Sequence, residues 1–139
     1  MFQKILAADI GERRVGLALS DALGMLAHPF RTLQWNGLMD FIIEINRLII
    51  EENVSKLVIG MPYTLKGGNS KKTEEIKKIC AEIRNNINIE VIEIDERLTT
   101  KMAEQALQAV GKKPSKNRDK IDQVAAVYIL QSYLDRSNI

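Results

Sequence analysis

Four acidic residues stand where a carboxylate is costly unless something compensates it. Asp9 sits near the end of the apolar run Lys4-Ile5-Leu6-Ala7-Ala8-Asp9-Ile10, and the pair Asp95-Glu96 follows Val91-Ile92-Glu93-Ile94. Asp122 lies in the first turns of a C-terminal stretch and shares a helical face with Ala125, Ala126 and Ile129. Burial at such places calls for a cation, a metal or a hydrogen-bond donor. Taken singly, each acid has an ordinary reading: Asp9 could bond turn amides, Asp95 could cap a helix, and Asp122 could be a plain first-turn acid. Taken together, acids gathered without histidine repel one another and favour a hard divalent ion, and oxygen ligands select Mg²⁺ or Mn²⁺ over zinc. Two such ions about 4 Å apart would activate water and steady the leaving oxygen of a phosphodiester. Neighbouring residues of an extended chain point to opposite sides, so at most one of Asp95 and Glu96 faces Asp9, and both remain candidates.

Basic groups accompany each acid. Arg13 and Arg14 lie in the turn after Asp9, Arg97 follows the acidic pair, and Lys120 precedes Asp122 by two residues. Arginine can clamp phosphate oxygens in pairs and lysine supplies a point charge. Gly11, two residues past Asp9, would let phosphate or backbone approach closely. Between Gly111 and Lys120, the cations Lys112, Lys113, Lys116, Arg118 and Lys120 face the single acid Asp119. Such a segment suits phosphate contact, although a solvated loop would share its composition. The loop Thr64-Leu65-Lys66-Gly67-Gly68-Asn69-Ser70 reads either as a flexible connection or as backbone that wraps a phosphate with help from Lys66.

The elements that must position these groups follow from periodicity. Ile5–Ile10 and Val15–Leu19 read as strands whose short spacing allows only an antiparallel hairpin. Ala27–Leu33 gives a third, weaker strand. Leu38, Phe41, Ile42, Ile45, Leu48 and Ile49 recur at helical spacing, and Leu57-Val58-Ile59 is a compact strand. A second helix starts near Ser70, with Thr73 and Glu74 in its first turn and Ile76, Ile79, Cys80, Ile83 and Ile87 on its apolar face. The strand Ile89–Ile94 precedes a third helix over about Thr99–Val110, and a last helix runs from near Lys120 to Leu134. A hairpin followed by alternating helices and strands is an α/β arrangement with a mixed sheet, forming one domain over residues 1–139.

Composition narrows the field further. The chain has 139 residues, 45% of them hydrophobic, and a formal net charge of +2. That is enough for one sizeable core, and no apolar run approaches the roughly 20 residues that span a membrane. The first residues run directly into a strand without the parts of a signal peptide, which predicts a cytoplasmic protein. Cys80 is alone, which excludes a disulfide framework, and its place on an apolar helix face predicts a buried structural thiol. His28 is also alone, so a histidine metal site or a histidine-based nucleophile triad is disfavoured.

Four segments resemble the YqgF (RuvX) family of pre-16S rRNA nucleases and Holliday junction resolvases. They are Asp9-Ile10-Gly11-Glu12-Arg13-Arg14-Val15-Gly16-Leu17-Ala18, Val58-Ile59-Gly60-Met61-Pro62 with the later Gly67-Gly68, Asp95-Glu96-Arg97-Leu98-Thr99-Thr100, and Lys120-Ile121-Asp122-Gln123-Val124-Ala125-Ala126. They occur in family order and span nearly the whole chain. The resemblance implies a ribonuclease-H-like fold with a five-stranded mixed sheet and helices on both faces, and a cytoplasmic, metal-dependent endonuclease. Asp9 matches the family's first-strand aspartate, Asp95-Glu96 its second acidic position and Asp122 its helix aspartate. Relatives of the resolvase kind place the second acid after the middle strand, where this chain has Gly60. The resemblance favours RNA, in maturation of the 5′ end of 16S rRNA, over branched DNA, whose symmetric cleavage would call for a homodimer.

Two other classes compete. Asp9-x-Gly11 with Gly16 in a hairpin also looks like the first phosphate loop of actin-like ATP-binding proteins, but those need two lobes and this length supplies one. A nucleic-acid-binding protein without chemistry would show the same basic groups and would tolerate loss of Asp122. The aromatic residues are scattered, so recognition would rest on phosphate, 2′-hydroxyl and backbone shape.

Overall fold

Alternating apolar residues build a central sheet, and helical stripes cover both of its faces. The computed structural model describes residues 3–64, 66–97 and 118–137. In chain order the elements are β1 (Lys4–Ile10), β2 (Arg14–Ser20), β3 (Ala27–Gln34), α1 (Leu38–Glu51), β4 (Val54–Met61), α2 (Lys71–Asn86), β5 (Glu90–Asp95) and α3 (Arg118–Ser137). The five strands lie in the order β3-β2-β1-β4-β5. β1, β2 and β3 pair antiparallel, whereas β4 runs parallel to β1 and β5 parallel to β4. The β1–β2 turn closes where the Gly11 N–H donates to the Arg14 carbonyl at 2.9 Å. β4 and β5 are joined through α2, the kind of crossover that parallel neighbours require.

The period of two sorts each strand between the faces. Leu6, Ala8 and Ile10 of β1, Val15, Leu17 and Leu19 of β2, and Leu57, Ile59 and Met61 of β4 are buried with α1 and α2. Ala7, Ala18 and Val58, of the other parity, pack with Ile94 against Ala126, Ile129, Leu130 and Leu134 of α3. The residues on the α3 face are small, and so the helix comes close. A Cβ placed on Gly16 would lie 2.0 Å from the Asp122 carbonyl oxygen.

The predicted elements that fall on described residues stand, most with shifted boundaries. β4 extends from Val54 to Met61, well beyond its apolar centre, and α3 begins at Arg118. The helix proposed over Thr99–Val110 lies outside the described residues, as do Lys112, Lys113 and Lys116 of the basic segment. Cys80 is buried, and burial pushes its thiol up to about 11, as a structural role requires. No described helix is long and apolar enough to cross a membrane.

The start of α2 is fixed by a reciprocal cap. The Thr73 N–H donates to Ser70 Oγ at 3.2 Å and the Ser70 N–H to Thr73 Oγ1 at 3.0 Å. The fully buried Thr73 hydroxyl then donates to the Pro62 carbonyl at 2.6 Å, which ties the helix to the end of β4. Thr73→Val keeps the shape and removes both side-chain links, for an expected loss of about 1–2 kcal/mol. Urea denaturation should show a lower midpoint at unchanged slope, and an unchanged midpoint would remove this account of the cap.

Candidate functional site

Two carboxylates meet at the end of the sheet where the parallel strands finish. Asp9 is opposite Gly16 in the β1–β2 register, and its parity with Ala7 puts it on the α3 face. Glu96 is the first residue past β5, held by its N–H donating to the Met61 carbonyl at 3.1 Å. Its side chain hydrogen-bonds Asp9. Each of the two holds a proton more tightly than a free carboxylate does. Glu96 is pushed well above the ordinary carboxylate range by burial, by the charge of Asp9 and by this bond. Asp9 is also raised, chiefly by burial and further by the charge of Asp122, while the Glu96 bond works in the opposite direction.

Glu96 Oε2 is buried without a hydrogen-bond partner among the described residues. It lies 2.7 Å from where a Cβ on Gly60 would sit. The carboxylate of Glu96 reaches this space from the adjacent strand. The missing side chain at Gly60 makes the room.

Asp95 goes elsewhere. Its Oδ1 accepts from the Arg97 N–H at 3.0 Å, and its Oδ2 accepts from the Arg97 guanidinium at 2.7 Å. Slight burial works to raise its pKa, but the Arg97 N–H and guanidinium outweigh this and hold it below the ordinary range. The expectation that only one of the adjacent acids faces Asp9 is met, and that acid is Glu96. Arg97, which the sequence offered as a phosphate clamp, pairs with Asp95.

Asp122 stands beside Gly16 at the start of α3, near enough for its charge to act on Asp9. Its Oδ2 accepts from Arg14 Nε at 2.8 Å. Beside this pair is a cavity of about 260 Å³ lined by Gly11, Glu12, Arg13, Arg14 and Asp122. Arg13 is exposed there. Lys66 is exposed in the glycine-containing loop, and Lys120 is exposed on the first turn of α3. Arg118 begins α3, and its side chain lies outside the described residues. One cation went unrecognised in the sequence. Lys72, half-buried in the first turn of α2, exerts its charge on both Asp9 and Glu96. Lys71-Lys72 reads as a solvated helix start until α2 is known to begin at the carboxylate end of the sheet.

Among the described residues no three His, Cys, Asp or Glu side chains gather closely enough to hold an ion by themselves. The pair nevertheless suits a hard cation. Its donors are all oxygen, and one of them is buried and unpartnered among the described residues. Asp122, whose charge acts on Asp9, is held by Arg14.

A mixed sheet in this order, with helices on both faces, is a ribonuclease-H-like fold, and its candidate acids lie at the ends of β1 and β5 and at the start of α3. The whole fold is similar to that of the Fowlpox virus resolvase bound to its substrate Holliday junction DNA (TM-score 0.55, 14% identity, covering 97% of this chain and 99% of that one). It is equally similar to Thermus thermophilus RuvC in complex with a Holliday junction substrate (TM-score 0.55, 11% identity, covering 97% and 96%). The chain belongs to the RuvX family, described as Holliday junction resolvase, whose profile matches residues 3–136. A relative from Chloroflexus aurantiacus named "Putative pre-16S rRNA nuclease" is 43% identical over 138 residues, covering 98% of this chain and 90% of that protein. One of the same name from a Sulfurihydrogenibium species is 40% identical, covering 96% and 90%.

Proposed function

We propose that the chain is a divalent-metal-dependent endonuclease that processes the 5′ end of precursor 16S rRNA in the cytoplasm. The observation that carries the reading is the half-buried Asp9–Glu96 pair, whose buried Glu96 Oε2 lies beside Gly60 without a partner among the described residues. Asp9 and Glu96 would hold Mg²⁺ or Mn²⁺, with Asp122 as third donor. Asp95 is assigned to the Arg97 pair instead. When bound, the ion polarises a phosphodiester and lowers the pKa of an attacking water. The chain's own residues do the rest. Asp9 and Glu96 would hold the ion at the sheet end, and the Gly11–Arg14 turn would give close approach and cations to the strand being cut. Lys66, Lys120 and the basic residues Lys112, Lys113, Lys116 and Arg118 extend this phosphate contact.

RNA is favoured by the names of the relatives at about 40% identity, and branched DNA by the family's own description. The purified protein with Mn²⁺ should cleave a fragment spanning the 5′ junction of precursor 16S rRNA and leave a four-way DNA junction intact. Symmetric cutting of the junction by a dimer, with the RNA untouched, would replace the first reading with the second. Cleavage of neither at any metal concentration would leave a binding protein.

A further inference from the structure

We propose that Lys72 is a substrate-binding residue of this site, its ammonium taking a phosphate oxygen of the nucleic-acid strand held beside the Asp9–Glu96 pair. The inference rests on the nuclease reading above and adds to it a residue from the helix layer opposite α3.

Three observations support it. First, the location is built. The first turn of α2 is tied to Pro62 by the buried Thr73 hydroxyl, and the preceding residue, Met61, is the one whose carbonyl holds the Glu96 N–H. Lys72 and Glu96 are thus fastened to the same strand end. Second, Lys72 sits half-buried in the first turn of α2, at the end of the sheet where Asp9 and Glu96 meet, and its charge acts on both. Third, it makes no ion pair within 4 Å among the described residues, although Arg14, Arg84 and Arg97 each close on an acid. A half-buried lysine that stops short of a nearby carboxylate pair keeps its three donors for another partner. Once a divalent ion neutralises that pair, a phosphate is the anion left for Lys72 to meet. Lysine serves this purpose as a point charge and does not demand paired geometry.

The test uses Lys72→Met and Lys72→Arg in the full chain, with Asp9→Asn beside them. Binding to the labelled precursor 16S fragment is followed by anisotropy across a salt series in Ca²⁺, and Mn²⁺ affinity is measured by calorimetry without nucleic acid. Lys72→Met should lower the log–log salt slope by about one contact's worth, 0.7–0.9. It should bind Mn²⁺ as tightly as the parent or several-fold more tightly, because a competing positive charge is gone. Cleavage should fall roughly tenfold or more, since a misplaced strand costs rate as well as affinity, and Lys72→Arg should restore the slope. An unchanged slope for Lys72→Met overturns the proposal, as does weaker Mn²⁺ binding with the slope intact, which would make Lys72 a structural support. Full cleavage by Asp9→Asn would overturn the nuclease site itself, and the salt slope judges Lys72 independently of that result.

Discussion

Asp9→Asn and Glu96→Gln should each lower cleavage by more than about a hundredfold, while making the metal-free protein more stable at pH 8. The first effect follows from position. Altering a residue that merely supports a metal ligand costs 10–100-fold in many sites, so losing the ligand's charge should cost more. The second follows from the raised proton affinity of the pair. An isolated glutamate titrates near 4.5, as in an unfolded chain, and the folded site raises this well above that value. A raised carboxylate pKa means that the folded state binds the proton more tightly. Its stabilising contribution is therefore complete below about pH 4.5 and is lost as pH rises toward the folded value. Gln at position 96 imitates the protonated form at every pH, so the variant gains on the parent at pH 8 and matches it near pH 4. Asn at position 9 relieves the same repulsion. Melts from pH 4 to 8 in chelator, and again with Mn²⁺, test both effects. The parent should gain strongly from Mn²⁺ at pH 8 and release protons on binding it, and the variants should do neither. If either variant melts well below the parent without metal and still shows the full Mn²⁺ shift, that carboxylate is structural and the site assignment fails.

Periodicity made the architecture legible because each element buries one clear face. The hairpin, the α2 cap at Ser70 and the stripe of α1 could all be read from spacing, since local sequence and tertiary packing agree there. The acids were legible for a related reason: an Asp in the run from Lys4 to Ile10 is expensive wherever that run is buried. The choice between Asp95 and Glu96 was not legible. It depends on the Met61 carbonyl catching the Glu96 N–H and on the Arg97 side chain folding back to Asp95. Lys72 was missed because its role comes from where α2 starts relative to β4 and β5, a long-range fact with no local signature. Gly60 was noticed as a departure from the resolvase pattern. Its meaning, space for a carboxylate arriving from β5, needed the strand order.

Gly16→Ala should be the most destabilising single methyl addition in the described structure, and it should damage the site through packing rather than chemistry. The added Cβ would meet the Asp122 carbonyl oxygen at 2.0 Å, its carbon at 2.2 Å and its Cβ at 2.8 Å. All three atoms belong to the backbone or its first side-chain carbon, so no rotamer change can make way. α3 must instead move off the sheet, and Ala125, Ala126, Ile129 and Leu130, buried against it, would lose contact with it. Overpacking typically costs 1–3 kcal/mol, and a clash with helix backbone belongs at or above the top of that range. Gly11→Ala offers the contrast. Its Cβ would meet the Arg14 carbonyl oxygen at 2.9 Å, a backbone contact less severe than those at Gly16, so it should cost less stability while narrowing the approach beside Asp9. Denaturant unfolding should therefore show a loss of about 3 kcal/mol or more for Gly16→Ala and a clearly smaller one for Gly11→Ala, with cleavage impaired in both. In Gly16→Ala, Asp122 is carried away with the helix, so Mn²⁺ should bind more weakly even where the protein stays folded. A variant at Gly16 with parent-like stability and parent-like Mn²⁺ affinity would show that α3 does not depend on this close approach to hold Asp122 in the site.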